Sequence, residues 1–481
     1  MIDLPIKFKE RMTALLGDEA DAFFASFEQD PVRSLRWNTL KGEDGMTEPG
    51  IASFPVTPLP YRPHGYVFEN EHIGSTWLHR AGAIYVQEPA AMTPVSCVDV
   101  APGSRVLDLC AAPGGKSGQL AAALAGTGVL VSNEYVTDRC RVLAQNLERL
   151  GVKNAVVTNL APAPLADRYP GFFDLAVVDA PCSGEGMMRK NPLAVSEWSE
   201  ENVLTCAARQ KEILKEAVRA VAPGGRLLYS TCTFSVEENE DNVVFLLENY
   251  PEFTLIPVKN EVAEGTSPGI PTKDHPELTL CRRCYPHKTP GEGQFVALFR
   301  RAGEREPDEG CRDEASRADG GRKKDRSREK PGRGEKYGRN GNAGEEELFR
   351  AFLRDVLTPG AFEAVSSYRL LPVGEGWCLA PDIPLPENGL FVPGVRLGEV
   401  RKGRVIPHHW FFSAYGRVFR RKIDLAPDDP RLASYLRGEE IAVGENAEDG
   451  FAAVLAAGIP LGGAHIAGGR AKNLYPKGLR G

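Results

Sequence analysis

The chain has 481 residues, 42% hydrophobic and 8% aromatic, which suits a folded protein of roughly two to four domains. No run approaches the ~20 apolar residues of a membrane span, and Met1-Ile2-Asp3-Leu4-Pro5 lacks the basic-then-apolar pattern of a secretory signal, so a cytoplasmic protein is expected. Ten scattered cysteines fit a reducing compartment, and a net charge of −7 does not by itself suggest a nucleic-acid partner.

Residues 1–75 read as a small N-terminal unit. Phe8, Met12, Leu15 and Leu16 recur at helical spacing, as do Phe23, Phe24 and Phe27. Leu35 to Lys41 is strand-like, and a proline-rich connection follows. Residues 76–300 alternate strand and helix signals. Strands are expected at Val106–Leu109, Gly128–Ser132, Ala155–Val157, Leu175–Val178, Arg226–Tyr229 and Phe295–Phe299. Helices are expected at Lys116–Leu124, from an N-cap at Thr137 to Leu150, at Cys206–Val221 and at Val236–Asn249. This alternation predicts an α/β fold, a mostly parallel sheet with helices on both faces.

Residues 301–344 are dominated by glycine and charged residues and are expected to form a disordered linker. A solvated spacer and an electrostatic tether for RNA are both compatible with its basic second half. Phe349, Phe352, Leu353 and Val356 then share a helical face, in a small α+β unit over 345–388. Short strands with many glycines and prolines, beginning at Tyr368, predict an all-β module to the end of the chain.

Three motifs carry chemistry. Cys110-Ala111-Ala112-Pro113-Gly114-Gly115-Lys116 joins a predicted strand to a predicted helix. Its glycines let the backbone approach a ligand, and the helix N-terminus offers unpaired N–H groups. Glu134, after the next strand, lies where such sheets place a carboxylate on ribose hydroxyls. A dinucleotide and S-adenosylmethionine are both compatible, although the loop is neither G-x-G-x-x-G nor a Walker loop. Cys182, in Asp179-Ala180-Pro181-Cys182, and Cys232, in Thr231-Cys232-Thr233, each follow a strand, on the edge where α/β sheets bind ligands.

Together these motifs resemble the RNA cytosine-C5 methyltransferases of the RsmB/RsmF-like, Sun/NOP family, most strongly between Val106 and Asn242. The resemblance implies a Rossmann-like S-adenosylmethionine-dependent core, a small N-terminal RNA-binding domain and a PUA-like RNA-binding module over 389–481, as in RsmF-like 16S rRNA methyltransferases. It implies Cys232 as nucleophile, Cys182 as the residue assisting product release, and Asp179 touching both cofactor and cytosine. It also implies that Cys110 to Lys116, Glu134, Arg139 and Asp179 line the cofactor pocket. Many relatives carry an acid near the adenine where this chain has Thr158-Asn159-Leu160, so Asn159, a backbone group or apolar contacts would serve instead. The expected partner is RNA, most directly small-subunit ribosomal RNA, with no membrane, no metal and a monomeric state. The alternatives are the same chemistry on tRNA and a non-catalytic ribosome assembly factor. A protein-amide methyltransferase is disfavoured because Asn-Pro-Pro-Tyr is absent from the position of Asp179-Ala180-Pro181-Cys182.

Arg36, Arg189 and Lys190 are candidate phosphate contacts. Cys281 and Cys284 form a Cys-x-x-Cys pair near His287, but no second pair completes a tetrahedral zinc site. Cys97, Cys140, Cys206, Cys311 and Cys378 read as small core residues.

Overall fold

The computed structural model describes residues 2–47, 51, 54–69, 72–305 and 343–480. Its centre is a ten-stranded sheet. Five parallel strands form the middle, in the order Val221–Thr231, Phe173–Asp179, Arg105–Asp108, Val129–Asn133 and Ala155–Thr158. Their short apolar runs are buried on both faces, which is the condition for a parallel sheet sandwiched between helices. Val106 and Leu130 enter one core, and Leu107 and Val131 enter the core on the opposite face.

Gln294–Arg301 runs antiparallel beside Val221–Thr231. At the other side Leu390–Val392, from the C-terminal half, pairs antiparallel with Ala155–Thr158. The sheet is therefore completed by chain from beyond the charged segment. Of the expected linker, residues 306–342 lie outside the described residues.

Three smaller sheets surround the centre. Strands between Ser34 and Val86 form the N-terminal one. Those between Arg369 and Pro407, apart from Leu390–Val392, form a second, and those between Lys422 and Asn473 a third. N-terminal Leu35, Trp37 and Ile84 share a core with C-terminal Ile423, Tyr435 and Ile466. The first helices, Ile6–Leu16 and Ala20–Ser26, bury Phe8, Met12 and Phe23 against Trp198, Phe234 and Tyr285 of the central unit.

Local differences from expectation have physical causes. The strand from Leu35 stops at Trp37, because Asn38 accepts from the Leu40 N–H and starts a single turn, Thr39–Lys41. Val136, not Thr137, holds the N-cap position of the helix Thr137–Arg149, and the Thr137 hydroxyl bonds Asn159 Oδ1 instead. Pro223-Gly224-Gly225 lies within a strand, where a register shift absorbs Gly224 at φ +73°. The expected all-β C-terminal part also contains helices His409–Tyr415 and Pro430–Leu436.

Candidate active site

Parallel strands bring their C-terminal ends to one edge, and every motif residue follows such an end. Arg105–Asp108 leads into the glycine loop, Val129–Asn133 into Glu134, Phe173–Asp179 into Cys182, and Val221–Thr231 into Cys232. Gln294–Arg301 runs the opposite way, so its first residue reaches the same edge, and Gln294 Nε2 donates to Asp179 Oδ1 at 3.4 Å.

The glycine loop is held mainly by its own backbone. The Ala111 N–H donates to Asn133 O at 2.8 Å. Arg139 Nη2 donates to Ala112 O at 3.0 Å, and Asn146 Nδ2 to Pro113 O at 2.9 Å. Gly114 sits at φ +111°, where a side chain is strained. The helix Gly115–Ala123 then begins. A side chain on Gly115 would enter the adjoining cavity, its Cβ meeting Tyr85 at 3.3 Å and Gln87 at 3.4 Å. That cavity, about 190 Å³, is lined by Cys110 to Pro113, Gly115, Lys116 and Asp179 together with Tyr85, Gln87 and Glu88. Below the loop, Ser117 Oγ donates to Asp108 Oδ2 at 2.6 Å. Burial pushes the Asp108 carboxyl up to about 7.

Lys116 and Asp179 form an ion pair at 2.7 Å. Burial lowers the lysine pKa, but Asp179 outweighs it and the net direction is upward, with Cys232 adding to the rise. Ser230 Oγ donates to the other Asp179 oxygen at 2.7 Å. Cys182 Sγ and Cys232 Sγ are 3.2 Å apart, and both are partly exposed free cysteines. The contact with Cys232, then burial, pushes the Cys182 thiol well up.

Two buried carboxylates hold the cysteine loops. Glu238 accepts from the Ser183 N–H at 3.0 Å, from the Ser183 hydroxyl, and from Gln210 Nε2 at 2.8 Å. Burial nevertheless raises its pKa. Glu185 accepts from Thr233 Oγ1 and the Phe234 N–H, both at 2.9 Å, from Ser235 Oγ at 3.0 Å and from Trp198 Nε1 at 2.9 Å. Ser183 Oγ and Thr233 Oγ1, each one residue past a cysteine, meet at 2.9 Å.

Glu134 is buried at 5% exposure, accepts from the Val136 N–H at 2.9 Å and lies 3.7 Å from Arg139. It stands beside the glycine loop without lining the 190 Å³ cavity. Asn159 is occupied in the neighbouring turn, donating to Glu134 O at 2.6 Å and Tyr135 O at 2.8 Å.

Two expected phosphate contacts are internal. Arg36, 2% exposed, bonds Gln87 Oε1 at 3.2 Å and Gly115 O at 3.3 Å. The Arg189 side chain, 4% exposed, is paired with Glu292 at 2.9 Å. Lys190 stays accessible and lines an outer cavity with Arg33 and Ile73. Val86, Gln87 and Glu88 border both this outer cavity and the inner one. The Gly291–Gln294 loop closes on the site. A Cβ on Gly291 would lie 2.5 Å from Glu88 Oε1, and one on Gly293 2.5 Å from Phe234. Among the described residues no group of three His, Cys, Asp or Glu side chains is placed to hold a metal.

The residues present fit S-adenosylmethionine. A glycine-walled hollow at a helix start suits its amino-acid portion, and the Asp179 and Glu88 carboxylates suit its cationic centres. Glu134 is one strand away, where ribose hydroxyls are met.

Three family models match the chain: 16S rRNA methyltransferase RsmB/F over residues 95–300, the N-terminal domain of 16S rRNA methyltransferase RsmF over 4–89, and the methyltransferase RsmF PUA domain over 422–481. The ribosomal RNA small subunit methyltransferase F of Erwinia tasmaniensis is 36% identical over 310 residues, 62% of this chain and 63% of that protein. Its namesake from Vibrio vulnificus is 35% identical over 308 residues, 62% of this chain and 64% of that protein. The chain thus spans less than two thirds of the length of these curated relatives. A methyltransferase homolog protein from Pyrococcus horikoshii superposes with a TM-score of 0.55 at 29% identity, over 62% of this chain and 96% of that one. NSun6 from the same organism, at 21% identity, shares the fold with a TM-score of 0.54 over 62% of this chain and 99% of that one.

Proposed function

The chain belongs to the 16S rRNA methyltransferase RsmB/F family, and from that premise we propose that it methylates carbon 5 of a cytosine in small-subunit ribosomal RNA. The observation that carries this reading is the pair of sulfurs 3.2 Å apart, on the sheet edge that also bears the glycine loop and the Lys116–Asp179 pair. Carbon 5 of cytosine is too weak a nucleophile to take a methyl group unaided. The Cys232 thiolate adds to carbon 6 and turns the ring into an enamine, dividing one hard step into easier ones. The Lys116 ammonium lies within electrostatic reach of Cys232. Asp179, oriented by Ser230, Lys116 and Gln294, accepts a hydrogen bond from the cytosine amino group and fixes the ring, and water supplies the proton that nitrogen 3 takes up as the sulfur adds.

Residues Cys110 to Lys116, with Glu134 and Arg139, would hold S-adenosylmethionine, which supplies an electrophilic methyl group when bound. Once carbon 5 is methylated, a water molecule takes its proton, the carbon 5–carbon 6 double bond re-forms, and the carbon 6–sulfur bond breaks to release the Cys232 thiolate. Cys182 touches the departing sulfur, so it suits proton donation to that sulfur during release. The target base must leave its stack to reach the site. The outer cavity that carries Lys190 gives it an approach. The ribosomal substrate follows the names of the curated relatives, and the PUA-type match over 422–481 supports an RNA partner.

RNA containing 5-azacytidine tests the chemistry. Wild type should form a covalent adduct, and Cys182→Ala should accumulate one on ordinary RNA. A wild type that never crosslinks with cofactor present overturns the reading in favour of a non-catalytic RNA-binding factor. Bisulfite sequencing of a deletion strain identifies the RNA, and loss of a tRNA mark instead would replace the ribosomal assignment.

A further inference from the structure

A second large hollow lies away from the cysteines, where the N-terminal unit, the helix Thr137–Arg149 and the C-terminal half meet. It measures about 930 Å³. Four arginines, Arg80, Arg149, Arg396 and Arg480, reach its wall, and no aspartate or glutamate is among the described residues that line it. Arg149 donates to His79 O at 2.9 Å and Ile84 O at 3.2 Å, and Arg480 donates to Tyr475 O at 3.0 Å. Neutral carbonyls hold these two guanidinium groups in place without discharging them. Of the other two, Arg396 lies 4.0 Å from Glu148, so its charge is partly offset. Burial keeps the neighbouring His408 uncharged at neutral pH, at about 4. The positive charge of the hollow is therefore permanent and comes from arginine.

Trp410, half-buried, lines the same hollow, with the Arg396 guanidinium 5.2 Å from its ring centre and His408 packed edge-on at 4.8 Å. Fixed guanidinium groups beside an aromatic plane form the combination that binds a nucleic-acid strand, phosphates on the cations and a base on the ring. The hollow borders the outer cavity that carries Lys190. Ile73 lines the outer cavity beside Lys190, and its chain neighbour Gly74 lines this one. At the back, Asn146 lines the hollow while its amide holds Pro113 O of the glycine loop.

We infer that this cleft is a second RNA-binding site, gripping a single-stranded stretch that flanks the target cytosine, with phosphates on Arg149 and Arg480 and a base against Trp410. This rests on the RNA substrate proposed above. It adds that affinity for long RNA is set in a cleft that three parts of the chain build jointly, separate from the cysteine pocket.

The test uses the full chain and two probes, a 24-nucleotide single-stranded RNA and a five-nucleotide RNA, both carrying 5-azacytidine. Arg480→Glu should weaken binding of the 24-mer about tenfold or more and flatten the salt dependence by about one unit of slope. Trp410→Ala should weaken it at least about fivefold with little change of slope, and Trp410→Tyr should recover most of the loss. Neither variant should alter adduct formation on the five-nucleotide RNA, which also shows that both fold. Wild-type affinity and slope for the 24-mer in both variants would overturn the cleft while leaving the cysteine chemistry standing. Equal weakening on both probes would overturn it as well, since the effect would then lie at the reaction site. A DNA 24-mer bound as tightly as RNA would overturn the RNA assignment of the cleft. Failure of wild type to bind or crosslink either RNA would instead overturn the underlying reading.

Discussion

The loops after Asp179 and Thr231 are tied down by side chains, whereas the loop after Asp108 is tied mostly through its own carbonyls. Ser183 and Thr233 touch each other and are gripped by Glu238 and Glu185, two carboxylates with seven described donors between them. The glycine loop is held by single donors from Arg139, Asn146 and Arg36, each to one carbonyl, and it walls a cavity. Covalent chemistry needs a sulfur fixed to about 0.5 Å. A loop that must admit and release a ligand at every turnover is better served by fewer restraints. On the proposed function, rigidity on this sheet edge follows the chemistry asked of each loop.

That contrast can be broken from either side. The largest effect is expected at the sulfur itself: Cys232→Ala abolishes both methyl transfer and the covalent adduct, as read by gel shift of azacytidine RNA. Next is the pH response of Asp108. Its folded pKa is near 7 against about 4 when unfolded. The stability contributed by the protonated form is thus complete below about pH 4 and is lost as pH rises towards 7. Asp108→Asn, which can still accept from Ser117, removes that loss. Its stability advantage over wild type in denaturant unfolding should grow from pH 4 to 7 and then level, reaching up to about 4 kcal/mol. An advantage that stays flat with pH would refute the raised carboxyl.

Glu238→Leu leaves the Ser183 N–H without its acceptor and removes one acceptor each from the Ser183 hydroxyl and the Gln210 amide, which keep Thr233 Oγ1 and Pro181 O. It should cost about 3 kcal/mol in denaturant unfolding and should also slow adduct formation. Stability lost with adduct rate unchanged would show that the carboxylate does not position the sulfurs. The smallest effect is on the looser loop. Arg139→Ala should weaken S-adenosylmethionine binding about fivefold by calorimetry, with the Tm of the protein alone nearly unchanged.

The sequence made the sheet legible because the central strands are short apolar runs, four of the five followed by a motif, and runs of that kind have few other uses in a globular fold. It made the sulfurs and the glycine loop legible because their signals are local. The restraints behind them were not. Ser183 and Glu238 are 55 residues apart, and Arg189 and Glu292 are 103 apart. Nothing near Arg36 or Arg189 distinguishes an internal guanidinium from one facing a phosphate until the fold supplies Gln87 and Glu292. Tyr85, Gln87 and Glu88 were missed as pocket walls for the same reason, since they enter the site from beside a short strand with no motif of its own.

The pairing of Leu390 with Thr158 and of Val392 with Val157 has a bearing on how this protein comes into being. While the chain is still being synthesised, the nucleotide-binding half can assemble only with one flank of its sheet unpaired, and such a flank is a template for other strands. The nascent molecule stays exposed to that hazard until residue 392 has left the ribosome. A fragment cut short at Arg305 would carry it permanently and should self-associate more than the full-length chain.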